Sequence, residues 1–339
     1  MKPLPFSSLN CQAQVERWPL AAPFRTTGFV RSVVDVVVVT LERDGVAGRG
    51  EATGVRYRGE TGDSMLRQIE ACKPLMQSGI DRSSLRTALP SGGARNAIDC
   101  ALWDLEAKTT GVPAWQRAGL GKPNPLVTIL TCGADTPERM AANALHYVGA
   151  KAIKLKLTGE SMDADRVRAV REARPDVWLS VDANQGLTRR TLELLMPTLV
   201  ESGVAIIEQP LPVGQEAQLD GFCSPIPLGA DESIQNLAGI PALAGRFAVV
   251  NIKLDKCGGL TEGLEMARAA SEHGLKKWVG NTIGTSLAMA PAFLLGQICD
   301  YVELDGPIFL DSDRPGRMEY AAGSVTFPGA LWGQAETLA

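Results

Sequence analysis

Through the middle of the chain, short apolar runs alternate with longer stretches of helical spacing. The strand candidates are Leu126–Thr131, Ala152–Leu157, Val177–Asp182, Val204–Glu208, Pro227–Asp231, Ala248–Lys253, Lys276–Gly280 and Tyr301–Asp305. Eight such runs with helices between them predict a parallel barrel. The alternation alone also permits an open doubly wound sheet, but neither GxGxxG nor GxxxxGK(S/T) follows any strand. The pattern before residue 60 is different. Val33–Leu41 is β-branched and apolar, Asp44-Gly45 supplies a hairpin turn, and Ala47–Ala52 returns. Helical spacing follows over Gly62–Gln77 and Ala94–Thr110, the second stopped by Gly111 and Pro113. These patterns predict a small α+β domain over residues 1–125 and a barrel over 126–311. The tail, 312–339, is expected to pack back on the first domain through Ser324-Val325-Thr326-Phe327. Two charged segments, Pro23-Phe24-Arg25-Thr26 and Tyr57-Arg58-Gly59-Glu60, read as loops, either lid elements or solvated turns.

The polar positions inside the apolar runs carry the chemistry. In Ala152-Ile153-Lys154-Leu155-Lys156-Leu157, strand alternation puts both lysines on one face and the apolar residues on the other. The apolar face suits packing against outer helices, which leaves Lys154 and Lys156 in the barrel mouth. An edge strand that uses lysines against aggregation is the plainer alternative. Like charges held close and partly out of water lower each other's pKa, and a lysine so lowered is a usable base. The other strands end in Asp182, Glu208, Asp231, Lys253, and Glu303 with Asp305. Singly, each carboxylate reads as the N-cap of the next helix. Three on successive strands, however, need a cation, and an oxygen-only ligand set selects a hard ion such as Mg²⁺. Lys156 and Lys253 then flank the metal from opposite sides. A carbon acid bound between them meets one base on each face, and proton return from the opposite face inverts the stereocentre. Lys154 is expected to lower the pKa of Lys156 and to face the substrate carboxylate.

Composition narrows the class. The chain has 339 residues, 45% hydrophobic and 21% charged, with a net charge of −4 and no basic run. That fits a soluble globular protein and gives no nucleic-acid footprint. No apolar run is long enough for a bilayer, and the N-terminus reads as neither a secretion signal nor a transit peptide. Seven cysteines without a CxxC pair read as reduced core residues of a cytoplasmic protein. The two histidines, His146 and His273, fall in helical patterns away from strand ends, so histidine catalysis is not expected.

The ordered series AIKLKL, VDANQG, IIEQPL, GADES and NIKLDKCGGL resembles the enolase superfamily, in its muconate lactonizing enzyme subgroup. The likeness extends from GRGEATGVRYRGET through ARNAIDCALWDLEAK to GTSLAMAPA and LDGP. It implies an α/β fold, a modified TIM (β/α)7β-type barrel whose N-terminal α+β domain caps the mouth and supplies specificity. It also implies one Mg²⁺ per subunit on Asp182, Glu208 and Asp231, with Lys156 and Lys253 as bases, the superfamily chemistry. Within the subgroup the chain is most similar to dipeptide epimerases, above all those acting on L-Ala-D/L-Glu. Glu303 and Asp305 match the acidic DxD motif that holds the dipeptide ammonium, with Glu in place of the first Asp. Arg25 matches the position that meets the glutamate side-chain carboxylate, and Thr131 either donates to the substrate or caps a turn. The implied reaction inverts the C-terminal residue of a small-molecule dipeptide in murein peptide recycling, and assembly of like chains is common in such barrels. Other readings share the first step: o-succinylbenzoate synthase, N-acylamino acid racemase or muconate cycloisomerase, whose substrates offer no ammonium to Glu303 and Asp305. More distant are a metal-free Schiff-base aldolase using Lys156 or Lys253, and a non-catalytic binding protein.

Overall fold

The computed structural model describes residues 9–26, 29–327 and 329–335. Strands β1 (Asn10–Thr26), β2 (Phe29–Arg43) and β3 (Val46–Ala52) form an antiparallel sheet in that order. The β2–β3 hairpin turns at Asp44-Gly45, both with positive φ (52° and 80°), as a tight two-residue turn requires. The β-branched run in β2 is continuous because both of its faces are buried. Val37, Val39 and Leu41 pack under the cap helices, whereas Val34, Val36 and Val38 join the barrel core. The segment Pro23–Thr26, expected as a loop, is instead the end of β1, where Phe24 pairs with Arg31 and Arg25 with Val30 beyond a register shift after Pro19. Tyr57-Arg58 lies in a 3-10 turn, Arg56–Arg58. Helices α1 (Gly62–Gln77), α2 (Arg82–Ala88), α3 (Gly93–Thr110) and α4 (Ala114–Arg117) complete this part, and α3 ends at Gly111 with φ 66°.

The expected first barrel strand divides at Thr128. β4 (Leu126–Val127) pairs with the tail, and β5 (Ile129–Cys132) opens the barrel. It is followed by β6 (Ala152–Lys156), β7 (Trp178–Asp182), β8 (Val204–Glu208), β9 (Leu228–Ala230), β10 (Val249–Ile252), β11 (Lys276–Val279) and β12 (Tyr301–Val302), an eight-stranded parallel sheet in sequential order. The seam between β12 and β5 is bridged by side chains: Leu304 N–H donates to Thr128 Oγ1 (3.1 Å) and Thr131 N–H to Asp305 Oδ2 (2.7 Å). Outer helices α5 (Pro137–His146), α6 (Asp163–Ala173) and α7 (Arg189–Glu201) follow the first three strands. Between β8 and β9 a helical stretch was expected, but the connection carries only a 3-10 turn, Glu216–Leu219, in a segment broken by Pro210, Pro212, Gly214, Pro225 and Pro227. The rest is closed by α8 (Ile240–Leu243), α9 (Leu254–Cys257), α10 (Leu260–Glu272) and α11 (Ser286–Gly296). Beneath the mouth, Trp278 packs with Ile129, Ala152, Ile206 and Val249 as the barrel floor.

In the tail, β13 (Glu319–Ala321) and β14 (Ser324–Thr326) form a hairpin on β4. Beyond it, Trp332 Nε1 donates to the Cys100 carbonyl (3.0 Å) and Gly333 N–H to Asp104 Oδ1 (2.7 Å), both in α3. Cap and barrel are joined by buried polar contacts. The Arg314 guanidinium holds Glu51 (2.7 Å) and Glu16 (2.6 Å), and Thr285 N–H donates to Glu51 (2.7 Å). Asp99 of α3 caps α10 across the interface, accepting from Thr261 N–H at 3.0 Å. This close approach needs Gly259, whose φ is +117° and whose added Cβ would lie 2.4 Å from Asp99 Oδ2. Gly259→Ala is expected to lower unfolding stability by about 2–4 kcal/mol in urea titration. A loss below about 1 kcal/mol contradicts this docking.

Candidate active site

Strand register brings the three carboxylates into one layer. Asp182 and Glu208 are ladder partners at the ends of β7 and β8, Glu208 pairs with Gly229 of β9, and Asp231 follows β9. All three are buried, and each offers an oxygen within 4.8 Å of the others. Their protein partners hold them in place. Asp182 Oδ1 accepts from Asn184 N–H (2.8 Å), and Glu208 accepts from Asn251 Nδ2 (2.6 Å) and Lys154 Nζ (2.7 Å). Asp231 accepts from Lys253 (2.6 Å) and from Lys256, which also binds the Asp231 carbonyl (2.6 Å) and the Asn251 carbonyl (2.9 Å). Burial and the neighbouring Asp182 push the Glu208 carboxyl up to about 8, even though Lys154 opposes the shift. Burial would also raise Asp231, but Lys253 and Lys256 outweigh it and hold that carboxyl far below the usual range. The protein's own cations therefore leave the three carboxylates unevenly compensated. Three converging, buried, oxygen-only donors fit a hard divalent cation such as Mg²⁺.

Sequence reasoning expected the two β6 lysines to depress each other. Carboxylates, however, surround them. Lys154 is 1% exposed, lies 5.2 Å above the Trp278 ring, and contacts Glu208 (2.7 Å) and Glu303 (2.6 Å). Burial lowers its pKa, but Glu208, Glu303 and Asp182 outweigh that and hold it well above the ordinary lysine value. Lys253 is likewise raised, with Asp231 overcoming the burial effect. Lys156 Nζ donates to Asp182 and to Asn184 Oδ1, the latter at 3.0 Å. Lys156 ends β6 and Lys253 follows β10, four strands apart in an eight-stranded barrel, so they stand on opposite sides of the mouth.

These lysines, Thr131, Glu303 and Asp305 line one cavity of about 420 Å³ whose other wall is the cap. The acidic pair lies beyond the short β12, so its position is set by bonds across the seam and not by strand alternation. Thr131 Oγ1 donates to Glu303 (2.8 Å), Thr131 N–H to Asp305 (2.7 Å), and Asn281 Nδ2 to Asp305 (3.1 Å). Burial, then Glu303, raise the Asp305 pKa, as expected of a carboxylate pair facing a common space. Thr131 thus fixes the acidic pair. On the cap side the cavity is lined by Phe24, which meets Phe309 edge-on (ring centroids 4.8 Å apart), and by Arg31, Arg56 and Tyr57. Arg25 lies elsewhere: it is exposed at the end of β1, adjacent to inward-facing Phe24. Burial, then Arg56, lower the Arg31 pKa, so the two guanidiniums lie close enough to feel each other, on a wall that Asp35 and Glu60 also line. Sequence reasoning missed Arg31, Arg56, Asn184, Asn251 and Lys256. Lys256, three residues after Lys253 and one short helical turn on, was the most readable of these.

Residues 10–119 match the family "Mandelate racemase / muconate lactonizing enzyme, N-terminal domain", and residues 138–331 match "Enolase C-terminal domain-like". The L-Ala-D/L-Glu epimerase of Escherichia coli (strain K12) is 39% identical over 312 residues, covering 91% of this chain and 97% of that protein. An N-acetyl-D-glutamate racemase of Pseudoalteromonas sp is 38% identical over 305 residues, covering 88% and 95%. A crystal structure of an Agrobacterium tumefaciens enolase family member with homology to dipeptide epimerases, holding sodium and L-Ala-L-Glu, superposes with a TM-score of 0.93 at 38% identity, covering 96% of this chain and 100% of that one. A dipeptide epimerase from Methylococcus capsulatus, complexed with Mg and L-Arg-D-Lys, gives a TM-score of 0.88 at 29% identity, covering 96% and 98%. With both domains matched in order and the lysine–carboxylate layer at the strand ends, the chain belongs to the enolase superfamily, in the group of mandelate racemase and muconate lactonizing enzyme.

Proposed function

We propose that this protein is a Mg²⁺-dependent dipeptide epimerase acting on L-Ala-D/L-Glu. The observation that carries the reading is the charge order of the cavity: an acidic pair, Glu303 and Asp305, lines it together with Lys154, Lys156 and Lys253, the lysines that contact the carboxylate triad, and Arg31 and Arg56 lie on the cap wall. An acidic dipeptide presents the complementary series of ammonium, α-carboxylate and side-chain carboxylate. The relatives in Escherichia coli and Agrobacterium tumefaciens support the same substrate class. Arg31 and Arg56 suit the side-chain anion better than the exposed Arg25. A place in recycling of cell-wall peptides in the cytoplasm follows from that substrate.

Asp182, Glu208 and Asp231 would hold the cation, which when bound offsets the negative charge that grows on the substrate carboxylate during deprotonation. Glu303 and Asp305 bind the ammonium and so fix which carbon lies between the lysines. From one face, one lysine Nζ takes the α-proton, leaving a planar carbanion. From the other face, the second lysine returns a proton, and the configuration inverts. Lys154, buried and in contact with both Glu208 and Glu303, suits electrostatic support in place of proton transfer. Phe24 and Phe309, packed edge-on, give the cavity an apolar wall between cap and barrel.

A second reading, N-acylglutamate racemization, is favoured by the Pseudoalteromonas relative and would use the same arginines. The acidic pair separates the two, because an N-acyl group has no ammonium. Epimerization of L-Ala-L-Glu is therefore expected to exceed racemization of N-acetyl-L-Glu by at least about a hundredfold in kcat/KM, followed by chiral chromatography. The reverse order would replace the dipeptide with the acyl amino acid. Arg31→Met is expected to raise KM for L-Ala-L-Glu by at least about tenfold while leaving turnover of L-Ala-L-Leu within about threefold. An equal effect on both substrates would remove Arg31 from side-chain recognition. Because the Glu208 carboxyl is pushed up to about 8, cation binding at neutral pH must expel a proton. Mg²⁺ affinity should thus weaken as pH falls from about 8 to about 6, with proton release seen by calorimetry in buffers of different protonation enthalpy. A pH-independent affinity would contradict this charge assignment.

A further inference from the structure

The two bases are not equivalently supported. Asn184 lies just past β7 with φ +41°, in the left-handed region that Asn tolerates. Its backbone N–H donates to Asp182 Oδ1 (2.8 Å), its Oδ1 accepts from Lys156 Nζ (3.0 Å), and its Nδ2 donates to Glu232 Oε1 (3.2 Å). Glu232 is 6% exposed, and its other oxygen has no hydrogen-bond partner among the described residues. The acceptor Glu232 therefore fixes the amide with its carbonyl oxygen toward Lys156. Lys253 has no equivalent amide: its hydrogen-bond partner among the described residues is the Asp231 carboxylate.

The geometry points to Asn184, oriented by Glu232, as a positioning residue for Lys156 alone. This rests on the two-base reading above. A neutral lysine amine has two N–H bonds and one lone pair. When its two N–H bonds are committed to Asp182 and to the Asn184 carbonyl, rotation about Cε–Nζ is restricted and the lone pair is directed toward the remaining staggered position. Of these two acceptors, the Asn184 carbonyl acts without the full charge by which the Asp182 carboxylate favours the protonated amine. Asn184 thus aims the base on one face of the substrate, and the opposite face is served by a lysine anchored only to Asp231.

The test is the initial rate of α-proton exchange in D₂O, read by NMR, from L-Ala-L-Glu and from L-Ala-D-Glu with the Mg²⁺-loaded enzyme. Lys156→Ala abolishes exchange from one diastereomer and Lys253→Ala from the other, which identifies the face that Lys156 serves. Asn184→Gly keeps the left-handed backbone and the N–H to Asp182 while removing the amide. It is expected to slow exchange on the Lys156 face at least about tenfold and on the Lys253 face less than about threefold. Asn184→Asp retains an oxygen for Lys156 and should recover part of the loss on that face. The Mg²⁺ dissociation constant of Asn184→Gly, measured by calorimetry, should stay within about threefold of wild type. Equal slowing of both diastereomers, no slowing, or a larger loss of Mg²⁺ affinity would overturn the assignment while leaving the epimerase reading intact. Wild-type protein that exchanges neither diastereomer would overturn that reading and this assignment with it.

Discussion

Buried charge that must be compensated is the constraint on which the rest of this structure depends. Asp182, Glu208, Asp231, Glu303 and Asp305 are all withdrawn from water at one end of the barrel, interleaved with Lys154, Lys156, Lys253 and Lys256. Desolvating such groups costs several kcal/mol each unless geometry and hydrogen bonds repay it. The repayment is visible in the bonding of each group. Lys256 spends its three donors on Asp231 and the Asn251 carbonyl, Asn251 uses its amide on Glu208, and Thr131 ties Glu303 and Asp305 to β5. A parallel barrel can carry this load because its strands are paired from β5 to β12 and its interior is filled, here by Trp278 and its apolar neighbours.

The cap turns this charged layer into a selective site. Strand β2 is buried on both faces, so the cap sheet is continuous with the barrel core. The Arg314–Glu51–Glu16 cluster and the Asp99 cap on α10 hold the two parts together at separate points. The charged layer and the cap wall of the cavity therefore sit on different elements. Lysines and carboxylates come from barrel strands, whereas Arg31, Arg56, Tyr57 and Phe24 come from the hairpin and turn above them. A change of preferred dipeptide can arise in the cap without disturbing the proton-transfer layer.

The layer of lysines and carboxylates was largely legible in the sequence because strand alternation has period two and such groups gather at strand ends. Lys154, Lys156, Asp182, Glu208, Asp231 and Lys253 needed only that rule, and the family resemblance tied them into one ordered set. The cap side was less legible for a physical reason. Strand β1 is an edge strand with polar alternation, and its register shifts between Pro19 and Phe24. A one-residue change of register exchanges the faces of a strand, so the sequence could not say whether Arg25 or Arg31 meets the cavity. The charge state of Lys154 was misjudged for a related reason. Its neighbour along the strand, Lys156, was evident, but Glu208 and Glu303, which lie 54 and 149 residues away, dominate its surroundings. The proline-rich β8–β9 connection contained the signal for a missing helix, which the regular alternation of the other units obscured.

The measurement that bears most directly on the account is the fate of the glutamate α-proton of L-Ala-L-Glu in D₂O with purified protein, compared across three conditions: added Mg²⁺, EDTA, and EDTA followed by excess Mg²⁺. The account predicts loss of that proton with appearance of L-Ala-D-Glu in the first condition, neither in the second, and recovery of both in the third. Epimerization that persists at full rate in EDTA would contradict the role given to Asp182, Glu208 and Asp231, and an α-proton retained in all three would contradict the reaction itself.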